Sequence, residues 1–126
     1  MKKLLVATAV VELGAGVALL SCPSVMVKML LGSGLDTPAA VALGRVAGAA
    51  LLALGVACCL ACLDAQSLAT RGLVVAMLLY NLAASSILAY AGFGLEMAGV
   101  ALWPAVVLHA GMGAWCIACL RMKRKV

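Results

Sequence analysis

Four residues of this 126-residue chain place a charged, amide or imidazole side chain deep inside a long apolar run: Glu12, Arg45, Asn81 and His109. A carboxylate and an imidazole can take up and release a proton or hold a ligand. A guanidinium can neutralise a carboxylate, and an amide both donates and accepts hydrogen bonds. In hydrocarbon each such group is costly, so each marks a candidate site. Counted from the ends of the runs, Glu12 is eight residues from both Leu4 and Leu20, about 12 Å at a helical rise of about 1.5 Å. Arg45 is seven residues from Pro38, about 10 Å, while Asn81 and His109 are each ten residues in, about 15 Å. This counting predicts one common layer with one polar residue from every run. Two readings follow. In the preferred one the layer is a clasp, with Glu12 paired to Arg45 and the amide and imidazole completing it, holding helices in register. In the other it is a proton-coupled or ligand-binding pocket in which Glu12 or His109 titrates. Pro104 frees the Val100 carbonyl above His109, which predicts a kink there.

The six cysteines are the second chemical feature. Cys58 and Cys62 share one helix face, as do Cys116 and Cys119. If the two faces meet, four thiols converge, enough for a tetrahedral thiolate-bound metal. Against this stands the common use of buried cysteine as a small apolar filler, and no other cofactor is expected. Cys22 follows Lys2-Lys3, an apolar run and Leu19-Leu20-Ser21, a lipoprotein-like cleavage pattern. Glu12 within that run and Pro23 after the cysteine argue against processing, so the run over 4–20 is read as a retained span.

These residues need helices to position them. The chain is 67% hydrophobic and 10% charged, with mean hydropathy +1.25. A soluble domain is about 45–50% apolar and about 25% charged, and a chain this short cannot hide the excess internally. Apolar runs over 4–20, 38–63, 72–91 and 99–120 each approach the roughly 20 residues that cross a bilayer. The fold class expected is all-α, a four-transmembrane-helix bundle forming a single integral membrane domain over 1–126. Pro23 ends the first helix. Val25, Met26, Met29 and Leu30 then recur at helical spacing around Lys28, predicting a short interfacial helix between spans one and two. Thr37-Pro38 is a helix start.

The net charge of +5 is distributed by position. Lys2 and Lys3 precede the first span, Arg71 lies between spans two and three, and Arg121, Lys123, Arg124 and Lys125 follow the fourth. By the positive-inside bias these segments are cytoplasmic, both termini included, in a bacterial inner membrane. The six terminal cations are expected to anchor on anionic lipid headgroups rather than on nucleic acid. Tyr80, Tyr90, Trp103 and Trp115 read as packing or interface residues. Small residues at four-residue spacing, Gly44 with Gly48 and Gly55 beyond, Gly14 with Ala18, and Ala110, Ala114 and Ala118, are candidate helix contacts.

The stretch Gly44-Arg45-Val46-Ala47-Gly48-Ala49-Ala50-Leu51-Leu52-Ala53-Leu54-Gly55 resembles the second helix of DoxX-like small four-helix bacterial membrane proteins. The four spans and longer first link resemble that group's layout. The resemblance implies an accessory role, since some members are subunits of quinone-linked oxidoreductases, and it carries no residue-level function. The layout is also similar to the small multidrug resistance family, in which a first-span Glu is essential; Glu12 in Val11-Glu12-Leu13-Gly14 holds a similar place. The third-span Trp-Ser-Gly pattern of that family is not found. With no nucleotide, phosphate or nucleophile motif, the expectation is a non-catalytic accessory or structural subunit that meets other membrane subunits or itself. The alternative is a small proton-coupled transporter or ligand-binding protein using Glu12, Arg45, Asn81 and His109.

Overall fold

The computed structural model describes residues 1–121. Five helices account for most of them: α1 (Lys2–Ser21), α2 (Pro23–Leu31), α3 (Pro38–Ala61), α4 (Leu68–Phe93) and α5 (Leu102–Arg121). Four of the five are long and apolar enough to cross a membrane, and α2 is the short helix between the first two spans. Each long helix also turns bulky aliphatic side chains outward. Val10, Leu43, Leu79 and Val107, one from each, are 68%, 70%, 67% and 70% exposed. A monomer in water does not carry apolar surface on this scale, and a lipid-bathed bundle does.

Local chemistry explains the ends. Thr37 accepts from the Ala40 N–H at 3.1 Å, and Pro38 fills the first position of α3, where no N–H is needed. Ser67 caps α4 by accepting from the Thr70 N–H at 3.1 Å, and Thr70 in turn donates to the Asp64 carbonyl at 2.8 Å. These bonds tie the turn after α3 to the start of α4. Arg71 belongs to the first turn of α4, and its Nη2 donates to the Leu120 carbonyl at 3.2 Å. A cation there meets the negative end of α5.

The helices pack as two antiparallel pairs, α1 on α3 and α4 on α5, with much sparser approach between the pairs. Glycine makes the first pair close. A Cβ on Gly48 would lie 2.8 Å from the Leu20 nitrogen and 2.9 Å from the Gly16 oxygen, and one on Gly55 would lie 2.7 Å from Leu13 Cγ. The expected stripe of Gly44, Gly48 and Gly55 therefore does face neighbouring elements, Gly44 meeting Pro23 and Leu35. Its partner in α1 is Gly16. Gly14 has no neighbour where its Cβ would be, and Ala110, Ala114 and Ala118 are exposed, so those two expected contact faces point outward.

At one end the pairs are joined through α2. Gly32 ends that helix in the left-handed conformation (φ 85°), which glycine adopts without strain. The chain segment before α5 then lies against it. The Ala101 N–H donates to the Met29 carbonyl at 2.9 Å, and Gly99 packs directly on the Leu30 carbonyl. At the opposite end a core of Leu4, Leu5, Cys58, Val74, Met77, Met112, Cys116 and Cys119 fills the space between the pairs.

Candidate functional site

Between this core and α2 the pairs do not close. A cavity of about 560 Å³ lies there, within the range of small-molecule sites. Small residues from three helices and the preceding strap leave the room: Ala15, Ala83, Ala84, Ala101 and Ala105. Leu19, Leu51, Ile87, Leu88 and Leu108 make the wall apolar, while Met26, Met29 and Leu30 of α2 roof the outer end. From Glu12 to Leu19 on α1 is seven residues, about 10 Å, and from Ala101 to His109 eight, about 12 Å. The polar lining is confined to the deep end and consists of Glu12, Tyr80 and His109.

Glu12 is 3% exposed. The Tyr80 hydroxyl is its polar neighbour, and among the described residues no cation stands against the carboxyl. Asn81, 2% exposed, donates through Nδ2 to the Met77 carbonyl at 2.8 Å. That bond fixes the amide orientation, so its oxygen faces His109, whose Nδ1 lies 2.8 Å away and must be the donor. The Tyr80 and His109 rings meet edge to face with centroids 5.5 Å apart. Three of the four expected polar residues are therefore brought together. Asn81 stands behind the cavity and sets the imidazole, while Glu12 and His109 line it.

Arg45 is not part of this group. Leu13 packs on Gly55 and Gly16 on Gly48, so Glu12 is level with the Gly55 region of α3. Arg45 is ten residues from Gly55, about 15 Å nearer the α2 end. It lines a separate, open surface hollow with Leu35, Asp36, Thr37, Pro38, Val41 and Ala42. The expected Glu12–Arg45 clasp and common layer fail because α3 starts well beyond the end of α1. Gly44 sits beside Pro23, already past Ser21, so counting from run ends misplaces α3 by several residues.

Tyr80 is the site residue that the sequence does not single out, since it reads as an ordinary packing or interface aromatic. It immediately precedes Asn81, and that adjacency to a midspan amide was the available signal. Pro104 lies in the first turn of α5, which begins at Leu102, so it starts the helix rather than kinking it above His109.

The thiols divide. Cys58 and Cys116 have no exposed surface, Cys119 has 3%, and all three belong to the core cluster, with Cys62 half-buried against it. The Cys62 thiol donates to the Cys58 carbonyl of its own helix at 3.2 Å. Among the described residues no three His, Cys, Asp or Glu side chains come together as metal ligands, so the tetrahedral site expected from Cys58, Cys62, Cys116 and Cys119 is not assembled. The faces meet, but as close-packed filler. Cys22 is exposed between α1 and α2. Lys2, Lys3 and Arg121 are exposed at the helix ends facing away from α2. Lys123, Arg124 and Lys125 lie outside the described residues.

No family model, curated protein or solved structure matches this chain.

Proposed function

We propose that this membrane protein binds a small, largely apolar ligand between its two helix pairs, in a bacterial inner membrane with both termini cytoplasmic. The observation that carries the reading is the cavity of about 560 Å³, apolar along its length and polar only at its deep end. Such a distribution orients a ligand: the wall supplies burial, and a few convergent polar groups supply direction. The test is photolabelling in nanodiscs with a headless alkyl diazirine, read by peptide mass spectrometry. Labels are expected on Ala83, Ala84 and Leu88 and on Met26 to Leu30. They should disappear in the filling variants Ala84→Phe and Ala105→Phe, while labels on the lipid-facing Leu79 and Leu82 persist. Equal labelling of wild type and filled variants would overturn the reading.

A second reading, an accessory subunit of a larger membrane complex, is favoured by Arg45. This cation is exposed on α3 beside Leu43 and Val46, themselves 70% and 65% exposed. Asp36 lines the same hollow, so the hollow offers a neighbouring subunit both signs of charge. Purification in mild detergent is the check: a stoichiometric partner lost in Arg45→Ala supports this reading, and a protein that purifies alone counts against it.

A further inference from the structure

The polar groups at the cavity floor specify more than amphipathic character. The geometry points to a single-chain amphiphile whose head group donates hydrogen bonds, its head on Glu12 and His109 and its chain lying toward α2. This rests on the ligand-binding reading above and narrows it to a chemical class.

The chain of contacts begins at Asn81. The Met77 carbonyl takes the amide's Nδ2–H, so the amide presents oxygen to the imidazole and His109 Nδ1 carries a hydrogen. In the neutral ring the remaining nitrogen, Nε2, is then an acceptor. Glu12, when ionised, is acceptor only, and no cation among the described residues meets it. The Tyr80 hydroxyl is one donor between two acceptors, and it stands against Glu12. With Glu12 ionised, the floor is short of donors. At this depth hydrocarbon offers no water to make up the difference. A head bearing N–H or O–H groups supplies what is missing. A carboxylate head brings further acceptors and a like charge. A quaternary ammonium brings charge with no donor and leaves both acceptors unmet. A site built to hydrogen-bond a ligand discriminates strongly against analogues that lack the matching group.

The test holds the chain constant and varies the head. Decylamine, 1-decanol, decanoate and decyltrimethylammonium compete, at pH 8 in nanodiscs, with the headless alkyl diazirine for labelling of Ala83, Ala84 and Leu88. Decylamine and 1-decanol are expected to displace the probe, and the other two to require at least tenfold higher concentration. Glu12→Met and His109→Phe are each expected to weaken decylamine about tenfold, the scale of one charge-assisted hydrogen bond. Displacement in each variant is scored against that variant's own probe labelling without competitor. Equal displacement by decylamine and decyltrimethylammonium would mean that charge alone is recognised and overturns the proposal, as would displacement by decanoate at the decylamine level. If all four heads act alike, head recognition is wrong although the cavity binds. If the wild type shows no cavity labelling, the ligand-binding reading fails first and this one with it.

Discussion

At the scale of single residues, the Asn81–His109 pair is a contact whose removal has a calculable asymmetry. Asn81→Leu leaves the His109 Nδ1–H without its acceptor. It is expected to cost about 1 kcal/mol in detergent unfolding, toward the upper part of the range for hydrogen bonds between membrane helices. The double variant Asn81→Leu/His109→Phe removes both partners and should recover most of that loss; a fully additive double variant would show that the bond contributes nothing. The sequence made Glu12, Asn81 and His109 legible because a polar group deep in an apolar run is rare and costly. It did not make their partners legible. Counting from the ends of runs pairs Arg45 with Glu12 only if every helix starts at the same plane, and α3 starts beyond the end of α1. Tyr80 was passed over because a tyrosine in a span has an ordinary role at the lipid interface, and only the packing of α4 turns it toward Glu12.

At the scale of elements, the α1–α3 contact turns on which glycines face inward. Gly16 and Gly48 sit where any side chain would meet the opposite backbone. Gly16→Ala and Gly48→Ala are therefore expected to lower the unfolding midpoint by several degrees. Gly14→Ala has open space and should be neutral or stabilising by up to about 1 kcal/mol, the helix-propensity difference. A Gly14 variant as damaging as Gly16 would mean that the helix register is different. The stripe in α3 was legible from its spacing. Its partner was not, because α1 carries two glycines two residues apart, and periodicity alone cannot say which faces α3. The α3 start was fully legible: Thr37→Ala is expected to cost about 1 kcal/mol through loss of the cap to Ala40.

At the scale of the molecule, the number of spans followed from hydrophobic length, and α2 from a short amphipathic pattern. The cavity did not follow from anything linear. It exists where Ala15, Ala83, Ala84, Ala101 and Ala105 oppose one another, and small residues read equally as close contact or as empty space until the pairing is known. Orientation has a direct check in the native thiols. Cys22 is exposed at the α2 end, while toward the other end Cys59 is exposed and Cys58, Cys116 and Cys119 are buried. In intact cells a membrane-impermeant maleimide is expected to label the wild type and to fail on Cys22→Ala; persistent labelling of that variant would invert the topology.

The latch of α2 on the segment before α5 bears on how such a bundle is made. Each close pair lies within one half of the chain, α1 with α3 and α4 with α5, so each can form as its second helix leaves the insertion machinery. The Ala101–Met29 bond and the seat of Gly99 on Leu30 join the halves and can close only after the segment between α4 and α5 has been synthesised. Assembly then runs as two hairpins followed by docking. A chain cut in the turn at Gln66, its halves produced separately, has the parts to reassemble in the membrane.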